Sequence, residues 1–409
     1  MSAGVLPEFA WSANGEFSFP RSASSGRSEF AHPDYSGIDW PKRFGNEPFA
    51  AMDAGQSYIR LDLGPAYATV SHENLWLGAA KLYPILLSNT APGFWHLRLG
   101  TRAPVAVGPF RVDVQAFWGS VSESSFFDGN GANDSNILVG STVSMEARFV
   151  PGLRIGFAAV GHFADQPLAF TPVLNVRRLV DTSVGKSGLD SNTIAALLAS
   201  WVFPQAGFEV YGEWGREERP LDLGDLLREP DWTQAYVFGV GKLISAGESR
   251  YRVWGELVHL GQSAAVRYGR GFVSYYTHSG VTQGHTNRGQ LLGAAIGPGS
   301  DAQSLGIEAW WTSASFGASL QRVRYDDDTY YQRFARFYGE SRHDAELTTE
   351  VRLGRGLGPF DVTLVGRRSR RYDRDFLAAR TGASTRQVES NWNMQLDLKW
   401  NAPQVLSRK

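Results

Sequence analysis

The chain reads NWNMQLDLKW at residues 391–400, where apolar and polar side chains alternate without interruption. The apolar members are Trp392, Met394, Leu396, Leu398 and Trp400, and the polar members are Asn391, Asn393, Gln395, Asp397 and Lys399. Because successive side chains of a β-strand point to opposite faces, the stretch predicts a strand with one apolar and one polar face. Such a strand suits a soluble sheet that covers a core, and it equally suits a sheet between lipid and water.

Segments with the same alternation recur in pairs along most of the chain. Seven pairs are joined by short connections rich in glycine, proline or serine, at residues 64–65, 108–109, 151–152, 204–207, 245–250, 312–315 and 354–359. Alternating segments around short turns predict β-hairpins. The hairpins supply fourteen strands, and NWNMQLDLKW supplies a fifteenth. We expect a sixteenth near ANGEFSFP at residues 13–20.

The connections between the hairpins are consistently longer. They cover residues 73–94, 119–137, 164–191, 215–232, 261–301, 326–344 and 367–390. Outer-membrane barrels alternate short periplasmic turns with long extracellular loops in this way. The sequence therefore predicts an all-β fold, namely a transmembrane antiparallel β-barrel of about 16–18 strands. The alternative is a large β-sandwich or a propeller, although no propeller-length repeat is visible.

Charged residues of these segments fall on one parity of each strand. In residues 110–118, for example, Arg111, Asp113 and Gln115 alternate with apolar side chains. A lipid-facing Arg or Lys near the bilayer midplane costs about 2–4 kcal/mol, so we expect the charged face to line the lumen. Charges of both signs occur there, which predicts ion pairs within the lumen rather than selection of ions of one sign. The alternative is a porin eyelet in which the two signs are segregated.

Composition excludes several other classes of protein. The 409 residues include 40 basic and 41 acidic side chains, and a net charge of −1 gives no electrostatic reason to expect a nucleic-acid partner. The absence of cysteine excludes a disulfide scaffold and Cys-ligated metal sites. No run reaches the roughly 18–20 apolar residues that a membrane helix needs. The start, MSAGVLPEFA, lacks the basic and apolar regions of a signal peptide, as we expect of a mature or truncated chain.

Two of the long connections are unusually apolar for loops. They are LWLGAAKLYPILLSNTAPGF at residues 75–94 and GQLLGAAIGPG at residues 289–299. Because so much hydrocarbon is unfavourable in water, we expect both to fold inward and plug the mouth of the barrel. The alternatives are that they extend the strands or lie on the membrane interface.

The stretches LLSNTAPGFWHLRLGT at residues 86–101 and THSGVTQGHTNRGQLLGAAIGPGSDAQSL at residues 277–305 resemble the capsule assembly Wzi family of outer-membrane barrels. The resemblance implies a barrel at the upper end of the strand range that holds capsular polysaccharide at the cell surface, as a lectin-like anchor rather than an enzyme. The extra hairpin this requires is expected within residues 261–301. The matching positions are Asn89, Pro92, Gly93, Arg98, Arg288, Gly289, Gly293, Gly297, Pro298 and Gly299, which either contact sugar or shape the plug.

Sugar binding uses aromatic platforms and planar hydrogen-bonding groups, and an acidic polymer adds charge-assisted pairs. One long loop offers Tyr275, Tyr276, His278, His285, Asn287 and Arg288 as candidates. The last long loop begins GRRSRRYDRD and offers Arg367, Arg368, Arg370, Arg371 and Arg374. The alternatives are that the tyrosines belong to interfacial aromatic girdles and that the arginines pair with lipopolysaccharide phosphates.

Catalytic and metal-binding patterns are weak. Neither G-x-S-x-G nor H-E-x-x-H occurs. The DGNGANDSN stretch at residues 128–136 has Ala132 where a calcium loop needs an oxygen ligand, so we expect a solvated outer loop. YDDDTYY at residues 325–331 is likewise expected to be an exposed acidic loop. We therefore predict no cofactor, no metal and no catalysis.

These observations together predict a single outer-membrane β-barrel domain over residues 1–409. It comprises an N-terminal segment and first strand at residues 1–55, the main barrel at residues 56–400 and a tail at residues 401–409. The predicted location is the bacterial outer membrane. The predicted partners are capsular or other exported polysaccharide, outer-membrane lipid and lipopolysaccharide, and we expect a monomer. A porin or sugar-transport channel is the first alternative function, and an outer-membrane hydrolase is the second.

Overall fold

The computed structural model describes residues 1–12, 34–35, 37–41, 44, 49–128, 130–131, 133–163, 191–217, 223–262, 274–339 and 341–400. The strand expected at residues 13–20 and the tail at residues 401–409 lie outside the described residues. The chain divides into two compact units. Unit 1 comprises Met1–Trp201, Tyr211–Val237 and Leu260–Gly299, and unit 2 comprises Val202–Val210, Phe238–His259 and Ser300–Lys409. The single domain over residues 1–409 stays a prediction.

Antiparallel strands make up most of the described chain. They are β1 (Ser2–Gly4), β2 (Glu8–Ser12), β3 (Phe49–Asp53), β4 (Tyr58–Leu63), β5 (Ala66–Ser71), β6 (His96–Thr101), β7 (Val105–Val107), β8 (Phe110–Ser122), β9 (Ser135–Ala147), β10 (Leu153–Phe163), β11 (Ser191–Phe203), β12 (Phe208–Glu217), β13 (Gln234–Ala246), β14 (Ser249–His259), β15 (Thr286–Asn287), β16 (Gln290–Leu291), β17 (Asp301–Trp310), β18 (Ala314–Tyr325), β19 (Asp344–Leu357), β20 (Phe360–Tyr372) and β21 (Val388–Trp400). Many run for 10 to 14 residues, long enough to cross a bilayer at a tilt.

The strands of unit 1 pair with their neighbours in sequence. An antiparallel sheet runs through β4, β5, β6, β8, β9, β10 and β11. Both β6 and β7 pair with β8, so residues 102–104 interrupt what is otherwise one long strand. The short β1 pairs with β4. Neighbour-to-neighbour pairing follows from the short turns, because a hairpin brings consecutive strands together.

The strands of unit 2 follow the same rule through β14, β17, β18, β19, β20 and β21. The β20–β21 ladder is unbroken from Phe360 opposite Trp400 to Tyr372 opposite Val388. Such a continuous ladder satisfies the backbone hydrogen bonds, which is required wherever the strand faces hydrocarbon.

All seven predicted hairpins are confirmed. They are β4–β5, β6 and β7 with β8, β9–β10, β11–β12, β13–β14, β17–β18 and β19–β20. The extra hairpin expected within residues 261–301 is wrong for the described part of that range. That part contains the two-residue strands β15 and β16, which pair only with each other and are too short to cross a bilayer.

In the part of the chain that the structure describes, the helices are short and lie in the connections between strands. They are α1 (Leu223–Arg228), α2 (Asp327–Arg333), α3 (Ala335–Tyr338) and α4 (Leu377–Thr381), with single 3-10 turns at Pro204–Ala206 and Arg374–Phe376. Within the described ranges, no helix combines the length and apolar character needed to cross a membrane.

Strand β21 keeps the two faces predicted for it. Its apolar side chains Trp392, Met394, Leu396, Leu398 and Trp400 are between 60% and 75% exposed. On β20 and β19, Leu364 and Leu353 continue this apolar face in cross-strand register. A contiguous exposed apolar surface of this extent is unfavourable in water and suits contact with lipid.

The opposite, polar face carries the ion pairs that the sequence predicted. In unit 1, Arg60 Nε lies 2.9 Å from Asp62 Oδ1. In unit 2, Arg252 Nη2 lies 3.0 Å from Glu209 Oε1, and Arg252 Nη1 lies 3.3 Å from Glu308 Oε2. These bridges neutralise charges of both signs along the polar face and link strand β14 to β17.

A new charge should lower the stability of the protein much more on the apolar face of β21 than on its polar face. Leu396→Arg places a guanidinium midway between Trp392 and Trp400 on the apolar face and should destabilise the lipid-embedded protein by about 2–4 kcal/mol. Gln395→Arg, one residue along on the polar face, is the matched control and should cost far less. Urea titration of the protein in lipid vesicles, followed by tryptophan fluorescence, measures both. Equal destabilisation by the two substitutions would contradict the assignment of faces.

Candidate functional site

Two loops of unit 1 form a buried plug, defined here as residues 75–94 and 274–299. Leu75, Ile85, Leu86, Leu291 and Ala294 are all at most 4% exposed. The alternatives, that these loops extend strands or lie on the membrane interface, do not fit such burial. The plug predicted from their apolar composition therefore exists as a packed structure.

Tyr276 and His285 join the two loops of the plug. Tyr276 Oη donates to the Ile85 carbonyl at 2.6 Å and accepts from the Ala294 backbone N–H at 2.9 Å. The His285 ring stacks on Tyr276 with centroids 5.2 Å apart, and its Nε2 lies 2.6 Å from the Leu86 carbonyl. Burial lowers the pKa of His285 to about 4. The ring is therefore neutral at pH 7, and Nε2 carries the proton because a carbonyl only accepts.

Two glutamates of strand β12 anchor the plug to the polar face of the sheet. Glu213 accepts backbone hydrogen bonds from Ala80 at 2.7 Å and Ile85 at 2.9 Å, one on each carboxylate oxygen. Glu217 accepts from the Tyr276 backbone N–H at 2.6 Å and from the Asn192 side chain at 2.8 Å. Hydrogen bonds to a carboxylate are stronger than neutral ones, so these contacts hold the loops in place.

Asn287 and Arg288 tie the plug to its rim. Asn287 donates to the Pro92 carbonyl at 3.1 Å and accepts from the Ser122 backbone N–H at 3.1 Å. The Arg288 backbone N–H donates to the Ser122 carbonyl at 2.7 Å. The Arg288 side chain is 49% exposed and lies 3.4 Å from Asp53.

The predicted sugar-binding residues of this loop thus separate into two groups. Tyr275, Tyr276, His285 and Asn287 are at most 2% exposed. Their rings and amides are used within the plug and offer no open surface to a sugar. Arg288 is the member that reaches solvent.

The glycines of the motif permit the close packing of the plug. A Cβ on Gly93 would lie 1.8 Å from the His72 carbonyl oxygen, and one on Gly293 would lie 2.3 Å from Tyr276 Oη. Both distances are below any real contact, so these positions require glycine. Pro92 accepts from Asn287, Arg98 lies 3.6 Å from Glu73, and Gly289, Gly297, Pro298 and Gly299 are buried, whereas Asn89 is exposed. The motif residues mainly shape the plug.

Four of the five arginines predicted to open the last long loop lie on strand β20 instead, because β20 continues to Tyr372, and Arg374 follows in the 3-10 turn. Alternation along the strand separates Arg367 and Arg371 from Arg368 and Arg370. Arg367 Nε lies 2.5 Å from Glu350, and Arg371 binds both oxygens of buried Asp344 at 2.7 and 2.8 Å. Placement of these four arginines in a loop is therefore wrong, whereas Arg374 does lie in the connection, and the run is not one continuous surface.

Sequence reasoning missed a second arginine-rich surface, in unit 2. Residues 326–339, 341–343 and 373–387, called the outer lobe below, pack around Tyr330, Phe376 and Ala379. Tyr338 Oη donates to the Ala379 carbonyl at 3.2 Å and so joins the two loops. The exposed acidic loop expected at YDDDTYY is wrong, because Asp327 and Asp328 are buried at the start of α2.

Arginines and one open aromatic ring cover the outer lobe. Arg333, Arg336 and Arg386 are exposed, and Phe337 is 67% exposed with the Arg336 guanidinium 4.7 Å from its ring centroid. Arg342 and Arg386 each donate to carbonyls of the facing loop. The sequence signal that could have revealed this surface is the series of arginines in the connections after β18 and β20. The acidic YDDDTYY motif made the first connection look acidic instead.

The N-terminal segment packs against the loop that follows β8. Asp39 is fully buried and accepts from Ser124 Oγ at 2.7 Å and from the Ser124 backbone N–H at 2.5 Å. Burial raises the pKa of Asp39 to about 6, although the Ser124 hydrogen bonds oppose the shift. In the same loop, one carboxylate oxygen each from Glu123, Asp128 and Asp134 lie within 4.8 Å of one another, a grouping that acidic residues often adopt without an ion.

Asp39 makes the packing of this segment pH-dependent. Its pKa rises from 3.8 in the unfolded chain to about 6 in the folded protein, so the folded state favours the protonated carboxyl. The resulting penalty is absent below pH 4 and complete above pH 6, and amounts to roughly 2–3 kcal/mol. Hydrogen exchange of residues 34–35 and 37–40, corrected for intrinsic rates, should show protection falling from pH 5 to pH 7.5.

Two variants test the assignment to Asp39. Asp39→Asn should abolish this pH dependence, and Asp34→Asn, in the same segment, should retain it. An Asp39→Asn protein whose protection still falls with pH would contradict the assignment.

Several solved structures match this chain. The structure is similar to that of Wzi, an outer-membrane protein of Escherichia coli that is involved in group 1 capsule assembly and is described as a carbohydrate-binding β-barrel. The TM-score is 0.60 and the sequence identity is 11%, and the match covers 85% of this chain and 68% of that chain. It also matches OccK10 (OpdN) of Pseudomonas aeruginosa, with a TM-score of 0.36, 11% identity and 84% coverage of both chains. The match to OccAB2 of Acinetobacter baumannii has a TM-score of 0.41, 11% identity and coverage of 92% and 83%. No curated protein sequence matches the chain.

The likeness to Wzi assigns the fold of an outer-membrane β-barrel, in agreement with the two-faced strands and the alternation of short and long connections. The location is the bacterial outer membrane. The family model of the capsule assembly protein Wzi matches residues 4–377, and the chain belongs to this family.

Proposed function

We propose that the protein binds an acidic capsular or other exported polysaccharide at the cell surface and holds it there without catalysing a reaction. The observation that carries the proposal is the arginine-covered outer lobe, which lies in the long connections and therefore on the extracellular side. Membership of a capsule assembly family supports it. So does the description of the similar Escherichia coli barrel as carbohydrate-binding.

The chemistry of the outer lobe suits an anionic sugar polymer. Guanidinium groups form paired hydrogen bonds with carboxylates, such as those of uronic acids. An open aromatic ring such as Phe337 offers an apolar face against which a sugar ring can pack. Because the lobe has its own small core around Tyr330 and Phe376, its surface is held in a defined shape before the polymer binds. The proposed site is therefore formed by Arg333, Arg336, Phe337 and Arg386 of the outer lobe.

Charge reversal on the outer lobe tests polymer binding directly. The double variant Arg336→Glu with Arg386→Glu should weaken binding of a purified uronic-acid polysaccharide by about tenfold or more, because it replaces attraction with repulsion. Surface plasmon resonance of the detergent-solubilised protein measures this, and added salt should weaken wild-type binding.

The matched control is Lys242→Glu with Arg250→Glu, which makes the same change in charge near the short β13–β14 turn. This control should bind as the wild type does. Equal binding by both double variants would remove the outer lobe from the site.

The plug bears on the alternative of an open channel. Its buried loops and the glutamate anchors on β12 favour a barrel that conducts poorly. Glu213→Ala removes both acceptors for the Ala80 and Ile85 amides and should loosen residues 75–94. In planar bilayers we expect a near-silent wild-type protein and a Glu213→Ala variant with larger, fluctuating conductance.

Glu209→Ala is the matched control for this experiment, because Glu209 lies on the same strand and parity but bonds to Arg252 instead. It should remain as silent as the wild type. Large steady openings of the unaltered protein would instead favour the porin or sugar-channel alternative. The monomeric state and contact with outer-membrane lipid and lipopolysaccharide stay predictions.

A further inference from the structure

Arginines mark one end of the apolar face of unit 2. Cross-strand register places Arg322 of β18 and Arg370 of β20 in one row, each opposite Leu347 of β19. The adjacent row holds Arg368, which is opposite Trp392 of β21. These side chains share the parity of the lipid-facing residues and lie at the long-connection end of their strands.

The position of the arginines along the membrane normal follows from the tryptophans of β21. Trp392 and Trp400 are eight residues apart, about 27 Å along a strand at roughly 3.4 Å per residue. A strand tilt of about 40° reduces this to about 20 Å along the membrane normal, close to the roughly 25 Å apolar band of outer-membrane barrels. Trp400 and Trp392 therefore mark the inner and outer aromatic girdles. Arg368 is level with the outer girdle, and Arg370 is one row beyond it.

The face carries a positive balance of charge at this level. The guanidiniums are those of Arg322, Arg324, Arg368 and Arg370, and the carboxylates they contact are those of Asp301 and Asp327. Arg322 and Arg324 both bind Asp301, whereas Arg368 lies over the Trp392 ring at 5.0 Å. Arg368 and Arg370 are exposed. Charged groups on a lipid-facing surface are unfavourable unless they meet a counter-charge at the interface.

We propose that Arg322, Arg368 and Arg370 form a binding site for the glucosamine phosphates of lipid A, the membrane anchor of lipopolysaccharide. Lipid A carries its phosphates directly above its acyl chains in the outer leaflet, the level at which these arginines project. Guanidinium and phosphate match in charge and in paired hydrogen-bond geometry. Trp392 and Leu347 lie among the arginines, where they contact the first carbons of the acyl chains.

This site is separate from the proposed polysaccharide surface. The lipid A site lies on the outward face of strands β18 to β21, whereas the polymer site lies on the connections that form the outer lobe. Strand parity also divides the arginines of β20. Arg368 and Arg370 lie on the outward face, whereas Arg367 and Arg371 lie on the polar face and pair with Glu350 and Asp344. The lipid A proposal does not depend on polymer binding.

Binding of lipid A to the detergent-solubilised protein tests the proposal. The probes are fluorescently labelled bisphosphorylated lipid A and the same lipid with its phosphates removed. Wild-type protein should bind the bisphosphorylated form about tenfold more tightly. The double variant Arg368→Gln with Arg370→Gln should lose most of that preference while binding the dephosphorylated lipid as the wild type does.

Arg355→Gln is the matched control, because Arg355 lies on the same parity of β19 near its short turn, at the opposite end of the apolar face. It should leave the preference for phosphate unchanged. The proposal is overturned if the wild-type protein binds both lipids equally, and this measurement does not depend on the folding of any variant. It is also overturned by a double variant that keeps the preference, or by an Arg355→Gln protein that loses it to the same extent.

Discussion

A strand that faces hydrocarbon must pair all of its backbone polar groups, because lipid offers them no hydrogen-bonding partner. In this protein the requirement is met by long antiparallel ladders between sequence neighbours, such as the unbroken β20–β21 pairing. Period-2 alternation then assigns every side chain of a strand to lipid or to the polar interior. The remaining features depend on this division, since it decides which charges are paired within the protein and which meet the membrane.

Acidic side chains on the polar face have two roles, which are to pair with arginines of neighbouring strands and to bind the backbone of the plug. Arginines and acidic residues on neighbouring strands neutralise one another, as Arg252 does with Glu209 and Glu308. Glu213 and Glu217 instead bind backbone amides of the plug. Because a loop folded inside a protein needs partners for its own backbone, carboxylates on the surrounding strands can hold it where a purely apolar wall could not. The plug is therefore held in place by the same charged face that surrounds it.

The same division gives the arginines of unit 2 different roles. Arg371 is held by buried Asp344, Arg368 lies over the ring of Trp392, and Arg336 lies on the outer lobe. These residues look equivalent in the sequence. Their surroundings differ because parity, height along the strand and packing of the loops differ, and those properties determine whether a guanidinium pairs with a carboxylate, lies on the lipid-facing side of a strand or is exposed on a connection.

The sequence by itself determined the strands of the seven hairpins and β21, the faces of these strands and the inward folding of two apolar loops. Alternation and turn chemistry are local signals, and a ladder between sequence neighbours preserves them. Only the tertiary structure decided that Tyr276, His285 and Asn287 are buried, since their hydrogen-bond partners, such as Ile85 and Leu86, lie nearly two hundred residues away. It also decided where β20 ends and how the outer lobe forms around Tyr330 and Phe376. Contacts between segments distant in the chain leave no periodic trace in either segment, so local pattern determined the architecture and three-dimensional packing decided which residues remain open to a partner.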